Sequence, residues 1–137
     1  MMKQLSLNLA ALGFLVTSSV AYADYTAELE IDRMQDTPFK ECSDYTFRQV
    51  MNNFFTELTW DYLTSDWGRN YINIDGYVEE EGEKFDFLLQ YEVKSDGTFE
   101  FNAMEFLGKA KDDSFIIMML DKICYHSTGD SRFNSKR

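Results

Sequence analysis

The chain has 137 residues, and 24 acids against 13 bases give it a formal charge of −11. That sign lacks the cationic footprint that nucleic acid or an anionic membrane requires, so both are excluded as partners. A zinc site is excluded too, because one histidine and two cysteines supply too few ligands.

Residues 1–23 have the form of an export signal. Lys3 gives a short positive start, Leu5 to Val20 are rich in Leu, Ala, Val and Phe, and Ala21-Tyr22-Ala23 is the small-x-small pattern cut by signal peptidases. Ser6, Asn8, Thr17, Ser18 and Ser19 interrupt the run, which falls short of the roughly 20 apolar residues of a membrane anchor. No cysteine stands at the cut, which argues against a lipoprotein. The expected mature protein starts at Asp24, lies in the bacterial periplasm or the medium without a stable membrane anchor, and carries a charge of 12 − 24 = −12, since only Lys3 is lost.

Asp24 to Glu41 hold the only proline, Pro38, and alternate Tyr25, Ala27, Leu29 and Ile31 with polar residues, which predicts an irregular arm or an edge strand. A single α+β domain is expected over residues 42–126, since a chain this short fills one core. Its first helix is predicted from Tyr45 to Glu57, where Phe47, Val50, Met51, Phe54, Phe55 and Leu58 recur every three or four residues. Thr46 and Gln49 have capping-box spacing at its start.

Strand signals follow. Thr59 to Thr64 is the weakest. Asn70 to Glu79 alternates Ile72, Ile74 and Val78 with Tyr71, Asn73, Asp75 and Tyr77, a period of two. After Glu80-Glu81-Gly82-Glu83, the residues Phe85, Phe87, Leu89, Tyr91 and Val93 line one face of the longest strand. Ser95-Asp96-Gly97 turns the chain into Thr98 to Leu107, with Phe99, Phe101 and Ala103 on one side. The second helix follows Gly108, capped by Asp112, Asp113 or Ser114, and is apolar nearly all round from Phe115 to Cys124, which predicts burial on more than one side. Residues 127–137 form a polar tail. The expected architecture is helix, three- to four-stranded antiparallel sheet, helix: an α+β two-layer sandwich with both helices on one sheet face.

Cys42 and Cys124 stand far apart, unlike a redox CxxC pair, and outside the cytoplasm they are expected to form a structural disulfide. That bond requires the start of the first helix to approach the end of the second.

No catalytic or metal-binding residue and no cofactor is assigned. His126 suits the C-terminal end of a helix. The acids Asp61, Asp66, Asp75, Glu79, Glu80, Glu81 and Glu83 read as a solvated rim, not as a carboxylate pair set in a cleft. Neither acidic turn has the ligand spacing of an EF-hand loop. The distinctive feature is aromatic content on the strands. If the isoleucine face meets the helices, Tyr71, Asn73, Asp75 and Tyr77 face outward together, and tyrosines among acids suit an interface with a basic protein. The expected function is an exported acidic binding module of the bacterial envelope, of inhibitor, immunity or assembly type. The alternative is a carrier of a small apolar ligand, held between the sheet and a second helix containing Met118 and Met119. A carboxylate-based hydrolase ranks last.

Overall fold

The computed structural model describes residues 14–129, with side chains from Tyr25 onward. The chain runs through α1 (Phe14–Gln35), a short 3-10 turn (Lys40–Cys42), α2 (Phe47–Phe54), β1 (Thr56–Thr64), β2 (Asn70–Glu80), β3 (Glu83–Val93), β4 (Phe99–Phe106), β5 (Lys109–Ala110) and α3 (Asp113–Thr128). Among the described residues the fold is α+β: three helices and an open antiparallel sheet of five strands in the order β1-β2-β3-β4-β5. The fifth strand, beyond the three or four expected, is a two-residue return that pairs with Glu105 and Phe106. It is too short to leave a periodicity in the sequence.

Alternation along the strands decides which face is buried. Ile72, Ile74 and Val78 on β2, and Phe87, Leu89 and Tyr91 on β3, are at most 5% exposed. They share one cluster with Met34 of α1, Phe47, Val50, Met51 and Phe54 of α2, and Met119, Leu120 and Ile123 of α3. Edge-to-face contacts at 5.0–5.5 Å link Phe39, Phe47, Tyr91 and Phe101 from the connection before α2 to β4. Such pairs add to what burial alone contributes. Gly76 occupies an inward position of β2 where a Cβ would meet the Phe55 ring at 2.9 Å and the Thr56 carbonyl oxygen at 3.0 Å. Glycine there lets Phe55 lie against the sheet, near Phe87.

Several expectations are corrected. Residues 24–35 continue α1 and form neither an arm nor an edge strand; Met34 is fully buried and Ile31 packs on the core. The first domain helix is α2, shorter than the Tyr45–Glu57 segment expected, because Phe55 is already extended and β1 starts at Thr56. Its capping box is present, with the Thr46 hydroxyl accepting from the Gln49 amide and the Gln49 side chain accepting from the Thr46 amide. On β4 an irregularity opposite Gln90 and Tyr91 shifts the phase, so Ala103 pairs with Gln90 and Met104, 1% exposed, takes the core position. α3 is capped by Asp112, whose carboxylate accepts from the Phe115 amide at 3.1 Å. It buries one side only: Ile117 and Met118 are about half exposed. Of the predicted signal, residues 1–13 lie outside the described residues and residues 14–23 form the first part of α1, which runs on without a break past Ala23; of the polar tail, residues 130–137 lie outside, and α3 itself extends to Thr128.

A disulfide joins Cys42 to Cys124, 82 positions apart, with Cα atoms separated by 5.9 Å. It ties the turn before α2 to the last part of α3. Among the described residues no helix is long and apolar enough to cross a membrane.

Candidate functional site

The sheet face away from the helix-facing core is built by the same alternation. Tyr71, Asn73, Asp75 and Tyr77 project there from β2, opposite Glu92, Gln90, Leu88 and Asp86 of β3. On β1 the partners of Tyr71, Asn73 and Asp75 are Leu63, Asp61 and Thr59. On β4, Glu105 stands beside Leu88, Ala103 beside Gln90 and Glu100 beside Glu92. The four residues expected at a site therefore share one surface. Tyr77 is 37% exposed, and Tyr71, Asn73 and Asp75 are half-buried among their neighbours.

An amide ladder crosses the centre. The Asn102 side-chain amide donates to Gln90, whose own amide donates to the Asn73 oxygen at 3.0 Å. Asn73 thus holds the surface in place, with its oxygen already engaged. Around the ladder lie acids. The Asp75 carboxyl is raised above its ordinary value, first by burial, then by the charges of Asp86 and Asp61; the Gly76 amide opposes this, and Glu105 adds to it. Tyr77 has a cation nearby, the Lys84 ammonium at 5.7 Å from its ring centre, and Lys84 also pairs with Glu57.

The sequence reading missed Asp61, Asp86, Leu88, Gln90 and Glu105 as neighbours of Asp75. The signal for Asp86, Leu88 and Gln90 was available, since they alternate with the apolar stripe Phe85 to Val93. Their placement beside β2 required the strand register.

A raised carboxyl means that the fold binds the Asp75 proton more tightly than the unfolded chain does. Stability from this group then falls as pH rises from the unfolded value near 3.8 through the folded one, and the ionised group at pH 7 opposes folding. Asp75→Asn is expected to raise the urea midpoint at pH 7, with the gain vanishing below pH 3.8. A midpoint that drops at pH 7 would mean that the carboxylate is a structural partner.

His126 behaves differently from the expected helix-end cation. Desolvation, with its ring 5.2 Å from that of Phe54, and then the Lys122 charge lower its pKa, while Glu80 partly offsets them. It is neutral at pH 7. Among the described residues no group of three or more His, Cys, Asp or Glu side chains is placed to hold a metal ion.

A groove of about 440 Å³ opens at the end of the β2–β3 hairpin, lined by Val78, Phe85, Phe106, Phe115 and Met119, with Glu80, Glu81, Glu83 and Lys122 also at its walls. Met119 lies where the carrier reading expected it, whereas Met118 is exposed and does not line the groove.

No protein-family model matches the chain, and neither curated proteins nor solved structures show significant similarity to it.

Proposed function

We propose that the chain is an exported binding module whose helix-free sheet face docks a basic protein, the helices and sheet acting as a two-layer sandwich. The observation that carries this reading is the composition of that face. Asp61, Asp75, Asp86, Glu92, Glu100 and Glu105 surround Leu88 and the two tyrosines, Tyr71 and Tyr77. Two tyrosines flank a polar centre held by the Asn102–Gln90–Asn73 amides, with acids around them; aromatic side chains on an acidic surface suit a protein interface, where aromatic anchors supply affinity and charges supply encounter rate and selectivity.

Asp75 supports the same reading. Its carboxyl is raised first by burial and then by the charges of Asp86 and Asp61, and a partner's lysine or arginine offsets the second of these, a repulsion that the free protein carries. Export is supported by the N-terminal sequence and is compatible with the disulfide.

The test has two parts. Intact-mass measurement of the protein recovered from the envelope should show a chain that begins at Asp24 and is two hydrogens lighter than its reduced form. Immobilised on beads, that protein should retain a basic partner from periplasmic extract at low salt and release it at high salt, and the Asp61→Asn/Asp75→Asn/Asp86→Asn variant should not retain it. A mass that includes Met1 to Ala23 would refute export. Equal retention by the triple variant would refute the face.

A further inference from the structure

We infer that the groove at the end of the β2–β3 hairpin is a second binding site, for an amphipathic organic cation: a small molecule with an apolar alkyl or aromatic body and an ammonium or guanidinium head. This goes beyond the docking face, because the groove lies on the helix side of the sheet and at one end of it. Its body is apolar, with Phe85 and Phe106 from the ends of β3 and β4 and Phe115 and Met119 from the first half of α3. Phe106 lies 5.7 Å from Phe115 and 5.9 Å from Phe85, so the three rings are neighbours along one wall. The thioether of Met119 adapts to irregular apolar shapes.

Charge then selects the head group. Three glutamates, Glu80, Glu81 and Glu83, line the groove against a single lysine, Lys122, which is already paired with Glu80 at 3.0 Å. Glu81 and Glu83 have no ion pair among the described residues. A cation bound there meets two uncommitted carboxylates, while an anion of the same shape meets repulsion. The hairpin holds both acids at the mouth through a two-residue turn in which Glu81 and Gly82 have φ of 52° and 83°, the primed geometry that matches strand twist.

The aromatic wall supplies apolar contact for the body of the ligand. The chain's own Lys111 ammonium lies 5.0 Å from the centre of the Phe115 ring and 5.9 Å from that of Phe106. These rings thus already carry a positive charge beside them, and selection of a cationic head rests on Glu81 and Glu83. Size agrees as well, since the volume lies within the range of small-molecule sites.

The probe pair is octyltrimethylammonium and octanesulfonate, equal in chain length and opposite in charge, each titrated below micellar concentration into the oxidised protein. Calorimetry should show saturable binding of one octyltrimethylammonium, at least about tenfold tighter than octanesulfonate. Methyl and aromatic NMR shifts should concentrate on Val78, Met119 and Phe115. Glu81→Gln/Glu83→Gln, which changes only exposed residues at the hairpin end, should weaken the cation about tenfold while leaving the melting temperature in place. Asp44→Asn/Asp66→Asn, an equal charge change in exposed loops elsewhere, should leave binding unaltered. Equal affinity for the two probes, the same loss from both double variants, or shifts located outside the groove would each overturn the assignment. Capture of a basic protein on the sheet face is read separately and survives any of these results.

Discussion

Replacing Cys42 and Cys124 together with serine should lower the unfolding free energy by about 4 kcal/mol, seen as a fall in the urea midpoint. The bond closes a loop of 82 positions, and fixing the ends of such a loop in the unfolded chain corresponds to about 4.5 kcal/mol of loop-closure entropy. A small domain has only about 5–15 kcal/mol in total, so the loss is a large part of its stability. Cys124 is 5% exposed, and a serine hydroxyl placed there adds a desolvation penalty that has nothing to do with the cross-link. Reduced wild-type protein separates the two effects, because it opens the loop without changing the side chain to an alcohol. Reduced protein and the double serine variant should both lose midpoint, the variant slightly more, and a folded variant should still bind through the sheet face, whose residues lie on β1–β4 and touch neither cysteine. An unchanged midpoint on reduction would mean that the bond does not stabilise the fold.

The same bond shows how far the sequence was legible. Two cysteines in a chain read as exported predicted a pair, and the pair predicted that the start of one helix meets the end of another, as the contact between the Lys40–Cys42 turn and α3 bears out. Period-two alternation on β2 and β3 located the core face, because a strand buried on one side must separate its side chains by face. Three things could not be read. Phe47 to Leu58 keeps helical spacing across a boundary where Phe54 ends α2 and Phe55 is extended, since a helix entering a strand at its own buried end leaves the apolar pattern unbroken. On β4, Asn102 is an extra residue that no composition rule marks, and it moved Ala103 to the polar face and Met104 to the core. In the segment before Gln35, the alternation of Tyr25, Ala27, Leu29 and Ile31 suggested an irregular arm or an edge strand, yet Tyr25 and Leu29 are exposed and the burial that holds α1 comes from Met34 and Ile31. Of the site, the tyrosines and Asp75 were visible in one strand. The acids that raise Asp75 come from three strands and appear only with the register.

On the proposed docking face, truncating Tyr71 and Tyr77 together should weaken capture of the proposed basic partner by about 4 kcal/mol, roughly a thousandfold, since an aromatic anchor at an interface contributes about 2 kcal/mol or more. Folding should suffer much less. Both rings project from β2 on the side opposite Ile72, Ile74 and Val78, and neither belongs to the buried cluster. Their removal therefore leaves no core cavity, and the strand loses about 1 kcal/mol per tyrosine in propensity and cross-strand packing. Phe87, 1% exposed on the other face, supplies the comparison: Phe87→Ala should lower stability by about 3–5 kcal/mol through lost burial and the space left behind. Asp75→Asn should act on a third quantity, slowing association most at low salt, because a charge in the rim chiefly steers encounter. Melting curves and binding curves recorded on the same samples keep these effects apart. Tyrosine variants that unfold as early as Phe87→Ala would place the rings among the structural contacts of the sheet, and variants that fold and bind like the wild type would remove the tyrosines from the interface; either result ends the claim that this face recognises the partner through them.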